Sequence, residues 1–379
     1  MKLAINALSA LRGGGQTYLK NLLKEYGSSD FNHHIILFVG KKNKTVFESF
    51  ESDKVSVVVS NFASRNIIFR TLWEVFYIPV YLRRKEIDSY YAPGGLMLTK
   101  SISHCKMYTA LRNMLPFDKN ERKRFPFLSY VRFKLFTLKW LYFISYKLSD
   151  GVVFISHYSR NVVAEQLPSV LEKSTLIYHG INPLFKERSN EELTAPNVQE
   201  YKYYLYVSIL DVYKAQKEIV NYWINLHKDK LVTEPLVLVG PVYNNYGRDL
   251  IGYIESVCKN NEVIYLGQVE YDKLPKFYQS AKALIFGSSC ECCPNILLEK
   301  LASKRPVICS NIQPMPEFAG HSALLFDPYN EDSFREAVCK LESQDLFKQL
   351  SLLSEKRAND FCWKQTATDT FSYLFRTKV

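Results

Sequence analysis

The chain has 379 residues, of which 47% are hydrophobic and 14% aromatic, so it is too apolar for a disordered protein and too long for one ordinary core. We therefore expect two domains of roughly 150 to 200 residues each, with a ligand site in the cleft between them. Eight cysteines are too sparse for a disulfide scaffold and indicate thiols in a reducing compartment. The formal charge of +11 indicates an anionic partner, without separating nucleic acid, a phosphorylated substrate and an acidic membrane face.

The chain carries no pattern typical of a secretion signal or a membrane-spanning helix. The N-terminus MKLAINALSALRGGGQTYL reaches Arg12 and a run of glycines before an apolar core of signal length develops. No stretch of 18 apolar residues occurs in the sequence. These patterns predict a cytosolic protein.

Apolar, β-rich runs alternate with amphipathic segments through the first half of the chain. The predicted strands are KLAIN at 2–6, HIILFV at 34–39, VSVVV at 55–59, CKMYTA at 105–110, GVVFIS at 151–156 and STLIYHGIN at 174–182. This alternation indicates a parallel sheet with helices on both faces.

A polar stretch at 185–202 interrupts the pattern and is typical of an interdomain linker. A second series of strands then follows: YYLYVSI at 203–209, PLVLVG at 235–240, EVIYLG at 262–267, ALIFGS at 283–288, PVICS at 306–310 and ALLF at 323–326. The fold class is therefore α/β, with two Rossmann-like, doubly wound domains at 1–184 and 185–360. The remaining 361–379 is predicted as a C-terminal helix that packs back on the N-terminal domain.

Open parallel sheets bind ligands outside the carboxyl ends of their strands, so residues that follow strands are the first candidates for a site. RGGGQTYL follows the first strand and opens a helix. Its glycines Gly13, Gly14 and Gly15 would let the backbone approach a ligand closely. The spacing is not GxGxxG, and a simple tight turn explains it equally well.

The stretch SSCECCPNILLEKLAS at 288–303 is the richest in candidate chemistry. Pro294 suits the start of a helix through NILLEKLAS, which would leave backbone amides near Cys292 to Asn295 available to an anion. Glu291 in the preceding loop and Glu299 in the helix then place one carboxylate on either side of a bound phosphate, each suited to sugar hydroxyls.

The cysteines of this stretch allow another interpretation. Cys290 and Cys293 form a C-x-x-C at a helix start, where the dipole lowers a thiol pKa, as in redox enzymes. A structural zinc needs four ligands, and no second Cys or His pair has finger-like spacing. We therefore expect packing thiols here and no metal site.

Residues 121–148, ERKRFPFLSYVRFKLFTLKWLYFISYKL, combine basic and aromatic side chains. Such a segment is suited to an anionic membrane surface, and a core helix with a solvated basic face is the alternative. Nucleic acid is not the expected partner, because no recognised nucleic-acid module accompanies the segment.

The block at 275–328, PKFYQSAKALIFGSSCECCPNILLEKLASKRPVICSNIQPMPEFAGHSALLFDP, resembles a family 4 glycosyltransferase of the GT-B fold, of the bacterial group 1 type. Glu291 and Glu299 match the E-x7-E motif of that family. The resemblance extends over nearly the whole chain through segments in the family's order: RGGGQTYL, NMLPFD, DGVVFISHYSRNVV, HGIN, YLYVSILDVYKAQKEIV, LVLVGP and VIYLGQV.

This resemblance implies roles for individual residues. Glu291 would contact hydroxyls of the donor sugar, Glu299 the ribose of the nucleotide, and Lys214 the donor diphosphate. The remaining donor-binding residues implied are Gly14, Gly15, Cys293, Pro294, Asn295 and Ile296. The catalytic residues implied are Glu291 and Lys214, and we add Arg112 for the reason that follows.

The chain departs from the family pattern at three places. Ile209 stands where the family usually has an arginine, five residues before the motif lysine. Arg112 stands where it usually has a histidine, just before the NMLPF turn. The usual Gly-Phe-Gly after the first glutamate is Cys292, Cys293 and Pro294. We expect Arg112 to supply the positive charge that is missing at Ile209.

These features predict a retaining, metal-independent glycosyltransferase without a cofactor, which moves a sugar from a UDP- or GDP-linked donor to a carbohydrate or lipid-linked acceptor. The second domain would bind the donor and the first the acceptor. Cell-surface polysaccharide synthesis, at the cytoplasmic face of the plasma membrane, is the expected setting. The alternatives are another GT-B enzyme, such as a nucleotide-sugar epimerase, and a non-catalytic subunit that binds a nucleotide sugar or glycan.

Overall fold

The structure, a computed structural model, describes residues 1–11 and 13–376 and divides into two compact units. The first unit takes in Met1–Gly180 and the segment that begins at Cys362, and the second is Ile181–Phe361. Residues 181–184, assigned to the first domain from the sequence, therefore lie in the second unit. The second unit is an insertion between two segments of the first.

The first unit is built on a parallel sheet of seven strands, in the order β3-β2-β1-β4-β5-β6-β7. The strands are β1 Lys2–Asn6, β2 His34–Val39, β3 Val55–Val59, β4 Ser89–Ala92, β5 Lys106–Ala110, β6 Gly151–Phe154 and β7 Ser174–Leu176. β1 lies inside the sheet, where Ile5 is in register with Leu37 of β2 and with Tyr91 of β4. Its apolar run is buried on both faces, as in other covered parallel sheets.

Two strands of this unit differ from the prediction. β4 was not predicted, because its sequence SYYA is only four residues long and follows the charged KEID, yet all four residues are buried. The strand predicted at 174–182 ends at Leu176. Beyond it the chain approaches the end of the sequence so closely that a Cβ on Gly180 would lie 2.2 Å from the backbone nitrogen of Trp363.

Seven helices precede the second unit in the described part of the chain. They are α1 Gly13–Gly27, α2 Lys44–Phe47, α3 Ile67–Leu72, α4 Ile78–Arg84, α5 Lys119–Lys123, α6 Tyr130–Leu148 and α7 His157–Ala164. A π-helical turn, Trp73–Tyr77, joins α3 to α4, so residues 67–84 form one continuous helical segment. We call it the 67–84 segment. Asn66 begins it, because its side chain accepts hydrogen bonds from the amides of Ile68 and Phe69.

The two faces of this sheet carry separate cores. Because successive side chains of a strand point to opposite faces, Ile5 packs with α1 residues such as Leu22, whereas Ala4 packs with Trp73 and Leu82 of the 67–84 segment. α6 lies on the same face as the 67–84 segment. Its C-terminal residue, Leu148, packs against that second core.

The second unit contains a parallel sheet of six strands, in the order β10-β9-β8-β11-β12-β13. The strands are β8 Tyr204–Val207, β9 Leu236–Val239, β10 Val263–Tyr265, β11 Ala283–Phe286, β12 Val307–Ser310 and β13 Ala323–Phe326. The helices are α8 Gln216–Lys228, α9 Asn245–Val257, α10 Leu274–Ser280, α11 Asn295–Ala302, α12 Met315–Ala319, α13 Glu331–Lys340 and α14 Gln344–Ala358. Each strand lies within a segment predicted from the sequence, and the α/β class with two doubly wound parallel sheets is confirmed.

The last helix, α15 Trp363–Leu374, belongs to the first unit. Phe371 and Leu374 are fully buried in the core that also holds Ile5 and Leu22. The hydroxyl of Ser89 donates to the carbonyl of Leu374 over 2.7 Å. Helix α15 thus completes the first unit's core.

Within the described residues, every helix is either too short or too polar to cross a lipid bilayer.

Candidate functional site

The carboxyl ends of β8 and β11 carry most of the predicted donor-binding residues. Lys214 ends a short 3-10 turn, Val212–Lys214, that follows β8, and Glu291 lies in the loop that follows β11. Gly240 after β9 has a φ of +153°, and a Cβ there would lie 1.8 Å from the carbonyl oxygen of Ser208. Only glycine permits this approach, which brings the ends of β8 and β9 together beside the turn.

Lys214 and Glu291 form a largely buried ion pair. Lys214 is 4% exposed, and its Nζ contacts Oε1 of Glu291 directly. The hydroxyl of Ser288 donates to the same Oε1 over 2.8 Å. Since both bonds end at Oε1, Oε2 of Glu291 is the oxygen left to accept a hydrogen bond from a ligand.

Tyr206 fixes the loops that carry this pair. Its hydroxyl donates to the carbonyl of Lys214 and accepts from the amide of Gly287, over 3.1 Å for the second bond. Burial raises the pKa of Tyr206 well above its ordinary value, so the hydroxyl stays a neutral donor. The turn after β8 and the loop after β11 are therefore held to each other through one side chain.

The helix start predicted as an anion site is α11. Pro294 stands at the N-cap position and has no N–H, and the amide of Asn295 donates to the carbonyl of Cys293 over 3.0 Å. The first bond from the helix back to its cap runs from Leu298 to Pro294, over 3.1 Å. Ile296, another predicted donor-binding residue, lies in the first turn of α11. Amides of a first turn have no acceptor within their own helix, so this N–H is suited to bind an anion.

Glu299 lies one turn into α11 and is half-buried between two tyrosines. Tyr271 donates its hydroxyl hydrogen to Oε1 over 3.0 Å, and Tyr278 donates to Oε2 over 3.5 Å. Burial raises the pKa of Glu299, and the two hydroxyls oppose that rise. Each carboxylate oxygen retains a second lone pair for a ligand hydroxyl.

Sequence reasoning missed Lys300, the residue after Glu299. It is 0% exposed, and its Nζ has no hydrogen-bond partner among the described residues. The amine lies 4.9 Å from the ring centroid of Tyr278 and 5.9 Å from those of Tyr206 and Phe286. Burial lowers the pKa of Lys300 to about 7, while the charge of Glu299 raises it and that of Lys214 lowers it further.

A signal for this burial was present in the sequence. Leu297 and Leu301 are buried, and position 300 lies three residues after the first of them, on the same face of the helix. A lysine on that face has no route to water unless the neighbouring elements leave one. Here β8, β11 and α10 close it off with aromatic rings.

The three cysteines of the loop are side chains of the interior. Cys290 and Cys292 are each 5% exposed and Cys293 is 9% exposed. Sγ of Cys293 lies 3.5 Å from Oδ1 of Asn295. Across residues 1–11 and 13–376, no group of three or more His, Cys, Asp or Glu side chains is arranged to hold a metal ion.

In the first unit, the glycine loop forms the start of α1. Gly13 has a φ of +62°, in the left-handed region that favours glycine, and a Cβ on Gly15 would meet no atom within 4 Å. Gly14 is exposed in the same turn. The space in front of this turn is open to a ligand.

Arg112 follows β5 and is held by three neighbours in the first unit. Its Nε donates to the carbonyl of Pro93 over 2.9 Å, Nη1 to Nε2 of His179 over 2.6 Å, and Nη2 to the hydroxyl of Tyr91 over 3.4 Å. The guanidinium lies 3.4 Å from the ring centroid of Tyr18, which belongs to α1. Arg112 is therefore fixed beside the helix that the glycines open.

His179 is a further residue that the sequence did not single out. It belongs to the quoted segment HGIN, is 3% exposed, and stacks on Tyr18 with ring centroids 5.2 Å apart. Because Nη1 of Arg112 can only donate, Nε2 of His179 is the acceptor of this bond. A histidine from another segment thus contacts Arg112, the residue that stands where the family usually has a histidine.

Two protein-family models match the chain. The model described as "Glycosyl transferases group 1" matches residues 189–359, and the model described as "Glycosyltransferase Family 4" matches residues 12–184. Together these matches cover most of both units.

Curated relatives match over part of their length. The chain is 24% identical over 184 residues to O-antigen chain mannosyltransferase B of Escherichia coli, which is 47% of this chain and 48% of that protein. It is 24% identical over 237 residues to an uncharacterized glycosyltransferase of Methanocaldococcus jannaschii, which is 60% of this chain and 61% of that one. The chain thus spans about half to three fifths of the length of these relatives.

Solved structures match over nearly the whole chain. Anabaena Alr3699/HepE, in complex with UDP and glucose, has a TM-score of 0.72 at 16% identity and covers 98% of this chain and 99% of its own. WaaG, a glycosyltransferase involved in lipopolysaccharide biosynthesis, has a TM-score of 0.68 at 11% identity, with 99% and 100% covered. At these identities the likeness is one of fold.

The buried amine of Lys300 generates a prediction about stability. An unfolded lysine holds its proton up to a pH of about 10.5, so between about pH 7 and 10.5 the unfolded chain binds more protons and stability rises with pH. Lys300→Met removes this penalty. We expect its Tm to exceed that of the parent by roughly 2 to 6 °C at pH 7, and the difference to shrink toward pH 10.

Differential scanning calorimetry across this pH range measures the effect, with Lys340→Met as the matched control on an exposed helix face. If the difference in Tm between Lys300→Met and the parent did not change with pH, or if the Tm of Lys300→Met were below the parent's at pH 7, the lowered pKa of Lys300 would be contradicted.

Proposed function

This chain belongs to the family 4 glycosyltransferases and has the GT-B fold, and on that premise we propose that it transfers a sugar from a nucleotide-sugar donor to a carbohydrate or lipid-linked acceptor with retention of configuration. The observation that carries the proposal is the buried ion pair of Lys214 and Glu291. It lies at the carboxyl ends of β8 and β11, where Glu299 and the start of α11 also lie. The second unit would bind the donor, and the first the acceptor.

The donor fits the chemistry of this edge. Oε2 of Glu291 would accept from a sugar hydroxyl, and Glu299 would accept from the ribose hydroxyls. Lys214 would share its charge between Glu291 and the diphosphate, helped by the amide of Ile296 and the positive end of α11. UDP and GDP are the nucleotides we propose, and UDP-glucose is bound by the structurally similar Anabaena protein.

The proposed reaction exchanges one bond for another at the anomeric carbon. The bond from that carbon to the diphosphate oxygen breaks, and the acceptor hydroxyl oxygen bonds to the carbon from the same face. The acceptor's proton passes to the departing phosphate oxygen. The protein's task is to stabilise the charge that grows on the diphosphate, and we assign it to Lys214, Arg112 and helix amides without a metal ion.

The acceptor would belong to a cell-surface glycan. The relative from Escherichia coli is named for O-antigen synthesis and the similar structure WaaG for lipopolysaccharide biosynthesis. We therefore propose lipopolysaccharide, O-antigen or capsule precursors as the acceptor class, at the cytoplasmic face of the membrane.

Glu299→Gln is expected to weaken binding of the nucleoside diphosphate by about tenfold or more, since a hydrogen bond to a charged acceptor contributes about 1.5 to 3 kcal/mol. Titration calorimetry with free UDP and GDP identifies the base and measures the loss. The same nucleotides linked to different sugars, with and without glycan acceptors and with EDTA, then test for transfer.

Equal affinity of the parent and Glu299→Gln would rule out contact with ribose. Interconversion of sugars without an acceptor would indicate an epimerase, and tight binding without turnover of any donor would indicate a non-catalytic subunit. Loss of transfer in EDTA, restored by a divalent ion, would overturn metal independence.

Arg112→Ala is expected to lower kcat by at least roughly a hundredfold while the affinity for free nucleotide changes little, because the guanidinium would favour the charged transition state over the ground state. Steady-state kinetics beside nucleotide calorimetry separates the two effects. Circular dichroism verifies the fold, since Arg112 contacts Pro93 and His179. A kcat within threefold of the parent would remove Arg112 from the mechanism.

We further propose that α6 and the residues before it contact an anionic membrane. Helix α6 buries Leu135 and Tyr142, whereas Phe133 and Trp140 are 69% and 54% exposed. A cavity of about 490 Å³ beside them is lined by three phenylalanines and four cations: Phe127, Phe133, Phe136, Lys119, Arg122, Lys123 and Arg132. Exposed aromatic rings among cations are suited to the interface of an anionic bilayer.

Vesicles of phosphatidylglycerol and phosphatidylcholine should sediment the protein at low salt and release it as salt rises, since each basic residue near the surface contributes about 1 kcal/mol. The pair Phe133→Ser and Trp140→Ser should weaken sedimentation several-fold. Leu352→Ser, an equally exposed apolar position at 68% in the second unit, serves as the control. Sedimentation that is absent at low salt, or lowered equally by the control, would contradict membrane contact through α6.

A further inference from the structure

The first unit contains an open apolar groove that no step of the proposed reaction uses. Its volume is about 740 Å³, and nine of its eleven lining residues are aliphatic or aromatic. Val58 and Val59 of β3 form one wall, and the 67–84 segment forms the other. This size and lining are typical of a site for a largely apolar ligand.

The π-helical turn supplies much of the second wall. Trp73 and Tyr77, its first and last residues, both line the groove and stack with ring centroids 5.9 Å apart. Phe76 and Tyr77 are 67% and 49% exposed, so the groove's lining faces outward rather than closing on itself. Exposed aromatic area of this extent is costly in water and marks binding surfaces.

A second, polar cavity lies across the loop that follows β3. Its volume is about 140 Å³, and its lining includes three cations, Lys42, Arg65 and Arg70, and no acidic residue. The loop residues Asn61 and Phe62 line the apolar groove, and the residues just after them line the polar cavity. The two sites are therefore neighbours on one short loop.

The polar cavity is built by buried contacts rather than by loose surface chains. Asn43 is 0% exposed, and its side chain donates to the carbonyls of Ala7 and Ala10 over 2.8 and 3.1 Å and accepts from the amide of Gly40 over 2.8 Å. A Cβ on Gly40 would lie 2.9 Å from Oγ of Ser64, so the loops after β2 and β3 pack closely. The bonds of Asn43 fix the loop after β2 to the loop after β1, and the amide of Lys41 donates to Oγ of Ser64 over 3.0 Å, which fixes the same loop to the loop after β3.

Arg70 provides a polar group that lacks a protein partner. Its Nε is buried and makes no hydrogen bond within the described residues. The buried carboxyl group of Glu74, one turn further on, is engaged instead by the hydroxyl of Tyr90 and the amide of Leu98, over 3.3 and 3.4 Å. A buried donor without a partner is costly, and an anion in the cavity would satisfy it.

We propose that these two neighbouring cavities bind one ligand, a phosphate ester of a long hydrocarbon alcohol that carries the acceptor sugar. The hydrocarbon chain would lie in the apolar groove between β3 and the 67–84 segment. The phosphate would lie against Lys42, Arg65 and Arg70, where guanidinium groups bind phosphate oxygens through paired hydrogen bonds.

Position in the fold favours an acceptor lipid over a lipid of the bilayer. Leu8 and Leu11, which line the polar cavity, follow β1 and come just before the glycines that open α1. The phosphate would therefore lie at the sheet edge where open parallel sheets bind their ligands. This inference rests on the proposed function in that the acceptor is taken to be lipid-linked.

Three probes distinguish the contributions of the two cavities to binding: farnesyl phosphate, farnesol and inorganic phosphate. The two farnesyl compounds are kept below their aggregation thresholds, and binding is followed by tryptophan fluorescence and calorimetry. Farnesyl phosphate should bind at least about tenfold more tightly than farnesol or phosphate. Phe76→Asn should weaken both farnesyl probes about tenfold. Arg65→Gln should weaken farnesyl phosphate about tenfold and leave farnesol unchanged.

Two variants of the same helical segment are the controls. Ile68→Asn removes an apolar side chain that is 65% exposed but does not line the groove, and Arg84→Gln removes an exposed charge outside the polar cavity. Neither should change the affinity for farnesyl phosphate by more than twofold. Losses as large as those of Phe76→Asn and Arg65→Gln would overturn the site.

The remaining outcomes identify the occupant. Equal affinity for farnesyl phosphate and for short-chain phosphatidylglycerol would indicate that a bilayer lipid, and not an acceptor lipid, occupies the site, and would overturn the proposal. Nucleotide binding without farnesyl phosphate binding would refute this site and leave the proposed transferase standing. Farnesyl phosphate binding without any nucleotide binding would refute the transferase and leave a lipid-phosphate site.

Discussion

The ion pair between Lys214 and Glu291 is the interaction on which the second unit's site depends. Its two residues are 77 positions apart in sequence, and each removes a charge from water at a cost of several kcal/mol unless the partner and further hydrogen bonds offset it. Ser288 supplies one such bond to the carboxylate, and Tyr206 fixes the backbone that carries the lysine. Burial thus fixes these charges beside the start of α11, and the proposed electrostatic stabilisation of a diphosphate requires such fixed charges before the donor binds.

Lys300 extends this concentration of charge into the interior. Two lysines border the ring of Phe286, with Nζ of Lys214 at 5.3 Å and Nζ of Lys300 at 5.9 Å from its centroid. Lys214 has a carboxylate in direct contact, whereas the amine of Lys300 is buried among aromatic rings, has no hydrogen-bond partner in the described part of the chain and is only partly compensated by the charge of Glu299. Burial is the main reason why the pKa of Lys300 is lowered, and the nearby charge of Lys214 lowers it further.

The sequence was sufficient for most of the fold because parallel strands buried on both faces leave near-continuous apolar runs. HIILFV and ALIF are examples, and the structure has buried strands at both. The strand SYYA was missed since four residues with a polar start give no such run. The sequence placed Glu291 in a loop and Glu299 in the helix that follows, and the structure has them there because these positions depend on one loop and one helix.

Features that depend on contacts between distant segments were beyond the sequence. Nothing in NMLPF or HGIN alone places Arg112 on His179, since β5, α1 and the chain after β7 must first come together. The polar cavity likewise needs three loops: Asn43 joins the loops after β1 and β2 through bonds to residues more than thirty positions away, and Lys41 joins the loop after β3 through Ser64. Such sites are set by tertiary packing, which local patterns do not encode.

The return of the chain to the first unit has a consequence for biosynthesis. Phe371 and Leu374 of α15 fill the core formed by β1 and α1, so that core lacks part of its apolar filling until α15 has been translated. Residues 181–361 contain a complete sheet of their own and have all been synthesised by then. On the ribosome, the second unit therefore has the means to fold first, and the N-terminal segment must wait with an unfilled apolar face. The first unit's core can therefore be completed only after the whole second unit and α15 have left the exit tunnel.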